Sequence, residues 1–144
     1  MTILDVNILI YAHDADAPQH PAVMSWLTEL FAGPESVGLP LHVLWGFLRI
    51  STNRQIQSNP RTPQSAFHLI RDWLNQPRVV LVHPGPQHFE LLESLVIDCQ
   101  ASGTLVSDAA LAALAIEHGA VLASADRDFS RFPNLRWVNP LEAQ

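Results

Sequence analysis

Thr2-Ile3-Leu4-Asp5-Val6-Asn7 is the stretch on which the fold turns. Its apolar, β-branched start has the composition of a strand buried on both faces. A carboxylate stands at position 5, where an unpaired charge is costly to bury. The stretch is read as a strand over 2–6 with Asp5 and Asn7 at its end, followed by a helix or turn to His13. Asp5 is the residue in it hardest to explain by packing alone.

Working outward, Val23, Trp26, Leu27, Leu30 and Phe31 recur at helical spacing and Gly33-Pro34 stops them. Ser36 to Leu39 is a second short strand, and from Pro40 a helix runs to Ser51-Thr52-Asn53. Residues 55–61 read as loop. Thr62-Pro63 is an N-cap and N1 pair for a helix carrying Ala66, Leu69, Ile70, Trp73 and Leu74. Val79 to Val82 is the clearest buried strand, and Pro86 opens a helix with Phe89, Leu92, Val96 and Cys99 on its apolar face. An alanine-rich helix spans Ser107 to His118, with Gly119 at C′. Ala120 to Ser124 is a strand, 126–132 a turn region, and Arg136 to Val138 a last strand.

Strands separated by helices require right-handed crossovers, hence a three-layer α/β/α domain with a mainly parallel sheet of four or five strands. Ligands of such sheets bind outside the carboxyl ends of the strands. That rule alone picks out Asp5 and Asn7 after the first strand and Asp126 and Asp128 after the strand ending at Ser124. It adds Asp108, at the opening of its helix after Leu105-Val106.

The totals bound the function. A chain of 144 residues, 48% hydrophobic and 15% charged, fits one domain over 1–144 and argues against disorder. No window has the roughly 18 apolar residues of a membrane span, and no basic segment precedes an apolar one at the N-terminus. One cysteine excludes a disulfide framework and any multi-cysteine zinc site, so a cytoplasmic protein is expected. All 8 basic residues are arginines, which removes Schiff-base lysines, the P-loop lysine and lysine bases. The net charge of −6 argues at first sight against nucleic acid. Setting Asp5, Asp108, Asp126 and Asp128 aside from the 14 acids leaves ten against eight arginines, so the balance depends on what those four do.

Carboxylates gathered at one sheet edge repel unless a cation intervenes, and an all-oxygen set suits Mg²⁺ or Mn²⁺ better than zinc. Each acid also has a bland role: Asp108 or Ser107 as a helix cap, Asp126 and Asp128 as turn residues, Asn7 as a local cap. The seven histidines show no metal-ligand spacing. Cys99 reads as core, and Trp26, Trp45 and Trp73 as packing on helical stripes.

Leu4-Asp5-Val6-Asn7-Ile8-Leu9, Gly103-Thr-Leu-Val-Ser-Asp108 and Leu122-Ala-Ser-Ala-Asp126-Arg-Asp128-Phe129, in this order, resemble a PIN-domain ribonuclease of the VapC toxin type. Gly46-Phe-Leu-Arg-Ile-Ser-Thr52 and Arg136-Trp-Val-Asn-Pro-Leu141 resemble one branch of that family. The resemblance implies a metal-dependent endoribonuclease that inhibits translation by cutting tRNA or rRNA, using Mg²⁺ with Mn²⁺ as a substitute. It also implies a cognate antitoxin, a homodimer and no membrane association. Carried over by position, Asp5, Asp108 and Asp126 are the metal-binding and catalytic acids. Asp128 and Ser107 are accessory, and Asn7 orients Asp5 or a metal-bound water.

The family commonly has a glutamate where Gly46 stands, which points to one metal rather than two. Glycine inside a helix costs about 1 kcal/mol relative to alanine, so close approach of another backbone is expected there. Arg49, one turn on, is a candidate for contact with the scissile phosphate or a site carboxylate. Haloacid-dehalogenase phosphatases and response-regulator receivers also begin with a strand-end aspartate, but both need a lysine. The remaining competitor is a degenerate PIN domain that binds antitoxin or RNA without cutting.

Overall fold

β1 (Thr2–Leu4) is flanked on one side by β2 (Val37–Pro40) and β3 (Val79–Val82), and on the other by β4 (Val121–Ala123) and β5 (Arg136–Val138). The computed structural model describes residues 1–142. The sheet order is β3-β2-β1-β4-β5, and every pairing is parallel. The expected three-layer α/β/α fold with a parallel sheet is therefore present, with five strands.

Between β1 and β2 lie α1 (Val6–Ala12) and α2 (His20–Ala32), and between β2 and β3 lie α3 (Leu41–Ser51) and α4 (Pro63–Leu74). These four helices pack on one another. The chain then crosses the sheet through the packed pair α5 (His88–Asp98) and α6 (Thr104–Glu117) to reach β4. Building outward from β1 first one way and then the other, with crossovers of one hand, puts these two groups on opposite faces. It also makes the gap between β1 and β4 the point where the topology switches direction, the crevice where open α/β sheets bind ligands.

The core forms where strand and helix apolar faces meet. Ile3, Leu4, Val37, Leu39 and Leu122 are fully buried, and α6 adds Ala109, Ala112, Ala113 and Ala115. Small alanines let α6 sit close to the sheet, which carries its opening turns to the carboxyl edge. Gly119, at φ +60°, ends the helix just after its last residues as expected. Thr62 caps α4 through the Ser65 amide, also as expected.

Several expectations need correction. β1 ends at Leu4, because the Asp5 side chain accepts from the Val6 amide and starts α1 there. Helix α6 begins at Thr104 rather than Ser107, so Asp108 lies in its second turn and caps nothing. β3 is not a fully buried strand: it is a sheet edge, with Val80 42% exposed. On α5, Leu95 faces the core while Phe89 is 82% exposed; Cys99, the C-cap residue, is half-buried and packs against the core. Trp45 is 61% exposed, so it does not pack as expected. Among the described residues no helix is long and apolar enough to cross a membrane.

Candidate active site

Asp5 leaves β1 at the switch point, and its amide bonds the Ala123 carbonyl at 3.0 Å, continuing the β1–β4 pairing. The residue is 8% exposed. Its Oδ1 accepts from the Val6 amide at 2.7 Å. Oδ2 accepts from the Ser124 hydroxyl at 2.7 Å and from Asn7 Nδ2 at 3.2 Å. Burial pushes its carboxyl above the ordinary aspartate range. The Ser124 and Val6 bonds oppose the rise and the Asp126 charge adds to it.

Ser124 is fully buried and joins the two strand ends. Besides donating to Asp5, its Oγ accepts from Asn7 Nδ2 at 3.1 Å and from the Asp126 amide at 3.0 Å. Asn7 Oδ1 accepts from the Ala125 amide at 3.1 Å. Asn7 and Ser124 thus lock the start of α1 to the chain after β4. Asn7 was expected to orient Asp5 and does bond it. Ser124 was missed: a serine after an apolar strand resembles an ordinary turn residue, and its position two before Asp126 was the available signal.

Three carboxylates converge in front of this network. Asp108, Asp126 and Asp128 each offer an oxygen, and these oxygens lie within 4.8 Å of one another. Asp126 comes from the end of β4 and caps the 3₁₀ turn Arg127–Arg131 through the Asp128 amide. Asp108 comes from α6. Its carboxyl is pushed up to about 6, first by partial burial, then by the charges of Asp126, Asp5 and Asp128. Among the described residues it accepts no hydrogen bond. Asp5 stands behind the trio within electrostatic reach of Asp126 and Asp108, its carboxylate tied into the Ser124 network.

Residues 2–135 match the model of the PIN domain. The chain belongs to the PIN-domain family. Ribonuclease VapC43 of Mycobacterium tuberculosis is 41% identical over 144 residues, covering 100% of this chain and 98% of that protein. Ribonuclease VapC25 of the same organism is 39% identical over 140 residues, covering 97% and 99%. Among solved structures, VapBC2 from Rickettsia felis, bound to a promoter DNA fragment, aligns with a TM-score of 0.70 at 21% identity over 96% of this chain and 97% of that one. VapC20 of M. tuberculosis, described as a sarcin-ricin-loop-cleaving toxin, aligns with a TM-score of 0.66 at 18% identity, covering 94% and 99%. The two structures share the fold with this chain.

In this PIN domain Gly46 sits inside α3 against α1. A Cβ built there would come 3.3 Å from Val6 Cγ2, so the close neighbour is a side chain rather than the expected backbone. A longer side chain at 46 would have to displace Val6, the residue after Asp5. Arg49 is exposed and, among the described residues, pairs with no carboxylate. Ser107 is exposed and outside the network. The cation beside the acids is Arg131, whose Nε lies 3.9 Å from Asp128 Oδ1.

The donor set fits the divalent ion that the family implies. Three hard oxygen donors within one ion's reach, one of them bonded to nothing, match Mg²⁺ or Mn²⁺ rather than a nitrogen- or sulfur-seeking metal.

Proposed function

We propose that this chain is a Mg²⁺-dependent endoribonuclease, the toxin of a toxin–antitoxin pair, with residues 1–144 acting as one catalytic domain. The observation that carries the reading is the carboxylate trio at the β1/β4 switch point, with Asp108 accepting no hydrogen bond among the described residues, backed by a buried, hydrogen-bonded Asp5. Mutually repelling acids cost stability, and a divalent ion offsets that cost. The relatives at 41% and 39% identity are named ribonucleases, which supports RNA as substrate.

Asp108, Asp126 and Asp5 are the metal-holding and catalytic acids in this reading. Asp128 is the accessory ligand. Asn7 and Ser124 fix the direction of Asp5 by occupying Oδ2, leaving Oδ1 with a single donor. A bound divalent ion, held by these acids, would supply positive charge for the phosphate and would lower the pKa of a bound water. Arg131 and Arg49 are the cations available to phosphates of the RNA backbone, Arg131 from beside Asp128. One ion rather than two follows from Gly46, which leaves the α3 side of the rim without a carboxylate.

Solved neighbours include VapBC complexes, which supports an antitoxin partner for this chain; a homodimer and a tRNA or rRNA substrate complete the reading. Gly46 favours the rival view, a domain that binds without cutting. RNA cleavage that appears with Mg²⁺, stops with chelator and is lost in Asp5→Asn supports catalysis. Metal-stabilised protein that cuts no RNA supports the rival.

A further inference from the structure

The charge of this chain is unevenly spread. Residues 41–78, which form α3, the loop after it and α4, hold Arg49, Arg54, Arg61, Arg71 and Arg78 against a single acid, Asp72. That segment carries +4, and the remaining residues, with three arginines and 13 acids, carry −10. A net charge of −6 therefore conceals a basic arm. A polyanion responds to the local field, because exposed charges more than about 10 Å away are largely screened at ordinary ionic strength.

Two of the five arginines are tied to the fold: Arg61 donates to the His13 carbonyl and Arg78 to the Phe31 carbonyl. The side chains of Arg49, Arg54 and Arg71 are exposed, with no hydrogen bond or ion pair among the described residues. The one acid, Asp72, faces His68 Nε2 at 3.6 Å. The arm starts at the carboxyl edge, where α3 directly follows β2. On α3, Gly46 approaches Val6, the residue after Asp5, and Arg49 lies one turn further along.

Apolar side chains stand among these cations. Phe67 is 49% exposed and lies one helical turn before Arg71, and the two line one shallow depression on α4 with Gln64 and His68. An aromatic face left in water beside a guanidinium offers a base a surface to stack on and its phosphate a cation. Paired bases are turned inward in a duplex, so such a surface suits an unpaired stretch. An acidic polypeptide would engage the arginines but leave the Phe67 ring without a stacking partner.

We propose that the α3–α4 arm is a docking surface for an unpaired stretch of RNA, with Arg54 and Arg71 on phosphates and Phe67 against a base. The inference rests on the ribonuclease reading and adds where the substrate is held beyond the bond that is cut.

The test measures binding of a labelled single-stranded RNA in EDTA, where metal-dependent cleavage is off, over a range of salt concentrations. Arg54→Ala/Arg71→Ala is expected to weaken binding and to flatten the slope of log K against log salt by about 1.4, or about 0.7 for each lost phosphate contact. Phe67→Ala is expected to weaken binding about fivefold or more with the slope unchanged, because it removes a stack and no charge. All three side chains are exposed, so both variants keep the fold. Equal affinity and slope in the three proteins overturn the proposal, as does a wild type that binds no RNA at low salt. Poly-glutamate of matched length that binds as tightly as the RNA makes the arm a general anion surface and also overturns it. Cleavage with Mg²⁺ is scored separately: a wild type that binds as expected but cuts nothing upholds the arm and removes the ribonuclease reading.

Discussion

Helix α6 carries two carboxylates with opposite fates. Near its C-terminal end, Glu117 accepts from the Gly85 amide at 2.7 Å and from the Gln87 amide at 2.9 Å, tying the β3–α5 loop to the helix. Those bonds, led by Gly85, hold its carboxyl below the ordinary glutamate range. Near the N-terminal end, Asp108 accepts nothing and faces three other acids, and its carboxyl rises to about 6. Both ends lie on one alanine-rich helix, so composition does not separate them. A satisfied carboxylate is a structural tether, whereas an unsatisfied one among its own kind is a group that a bound cation would stabilise.

The comparison breaks first at the acids. Asp126→Asn is expected to lower RNA cleavage by about three orders of magnitude, worth several kcal/mol of transition-state stabilisation, with Tm retained. Undiminished rates at matched Mg²⁺ would remove Asp126 from the machinery. Ser124→Ala, which removes the hydroxyl bond to Asp5 Oδ2 and frees the Asp126 amide, should cost about 10- to 100-fold in cleavage or metal affinity, read as a rate against Mg²⁺ concentration.

Asp108→Asn sharpens the contrast through stability. It should raise Tm in EDTA by relieving repulsion, while shrinking the upward shift that Mg²⁺ produces in the wild type. The pH dependence has a definite sign. Across the window from about 4 to about 6 the folded chain keeps a proton on Asp108 that the unfolded chain has lost. Metal-free stability therefore falls as pH rises through that window, and Mg²⁺ should raise Tm more above it than below. A flat Tm–pH profile in EDTA would contradict the electrostatic account.

Glu117→Gln should behave oppositely to Asp108→Asn. It weakens the charged acceptor of two amides, so Tm falls in EDTA and in Mg²⁺ alike, while cleavage by folded protein is unchanged. Gly46→Ala is the smallest effect. A gain of about 1 kcal/mol in helix propensity is set against crowding of Val6, and thermal unfolding should move little.

The acids were legible because each followed an apolar run that a parallel sheet must end at its carboxyl edge. Asp5 and Asp126 needed only that rule. The start of α6 was misplaced because Thr104, Leu105 and Val106 look no more helical than extended, and its first turn is set by Gly103 at φ +57°. β3 read as buried because Val-Val-Leu-Val says nothing about how many neighbours a strand has. Trp45 and Phe89 read as core because helical spacing places a residue on a stripe without showing which stripe faces the sheet.

Local chemistry along the chain was enough to set the strand–helix alternation, the parallel sheet and the identity of the acids, since apolar runs, caps and breakers act within a few residues. Tertiary structure alone decided that Asp128 joins Asp108 and Asp126 in the trio, that Asp5 is held behind it by Ser124, and that β3 is an edge. It also decided that the turns after α1 and α3 enclose a cavity. Those outcomes depend on distances between residues up to 119 positions apart, which the packing of helices on the sheet fixes and no local pattern encodes.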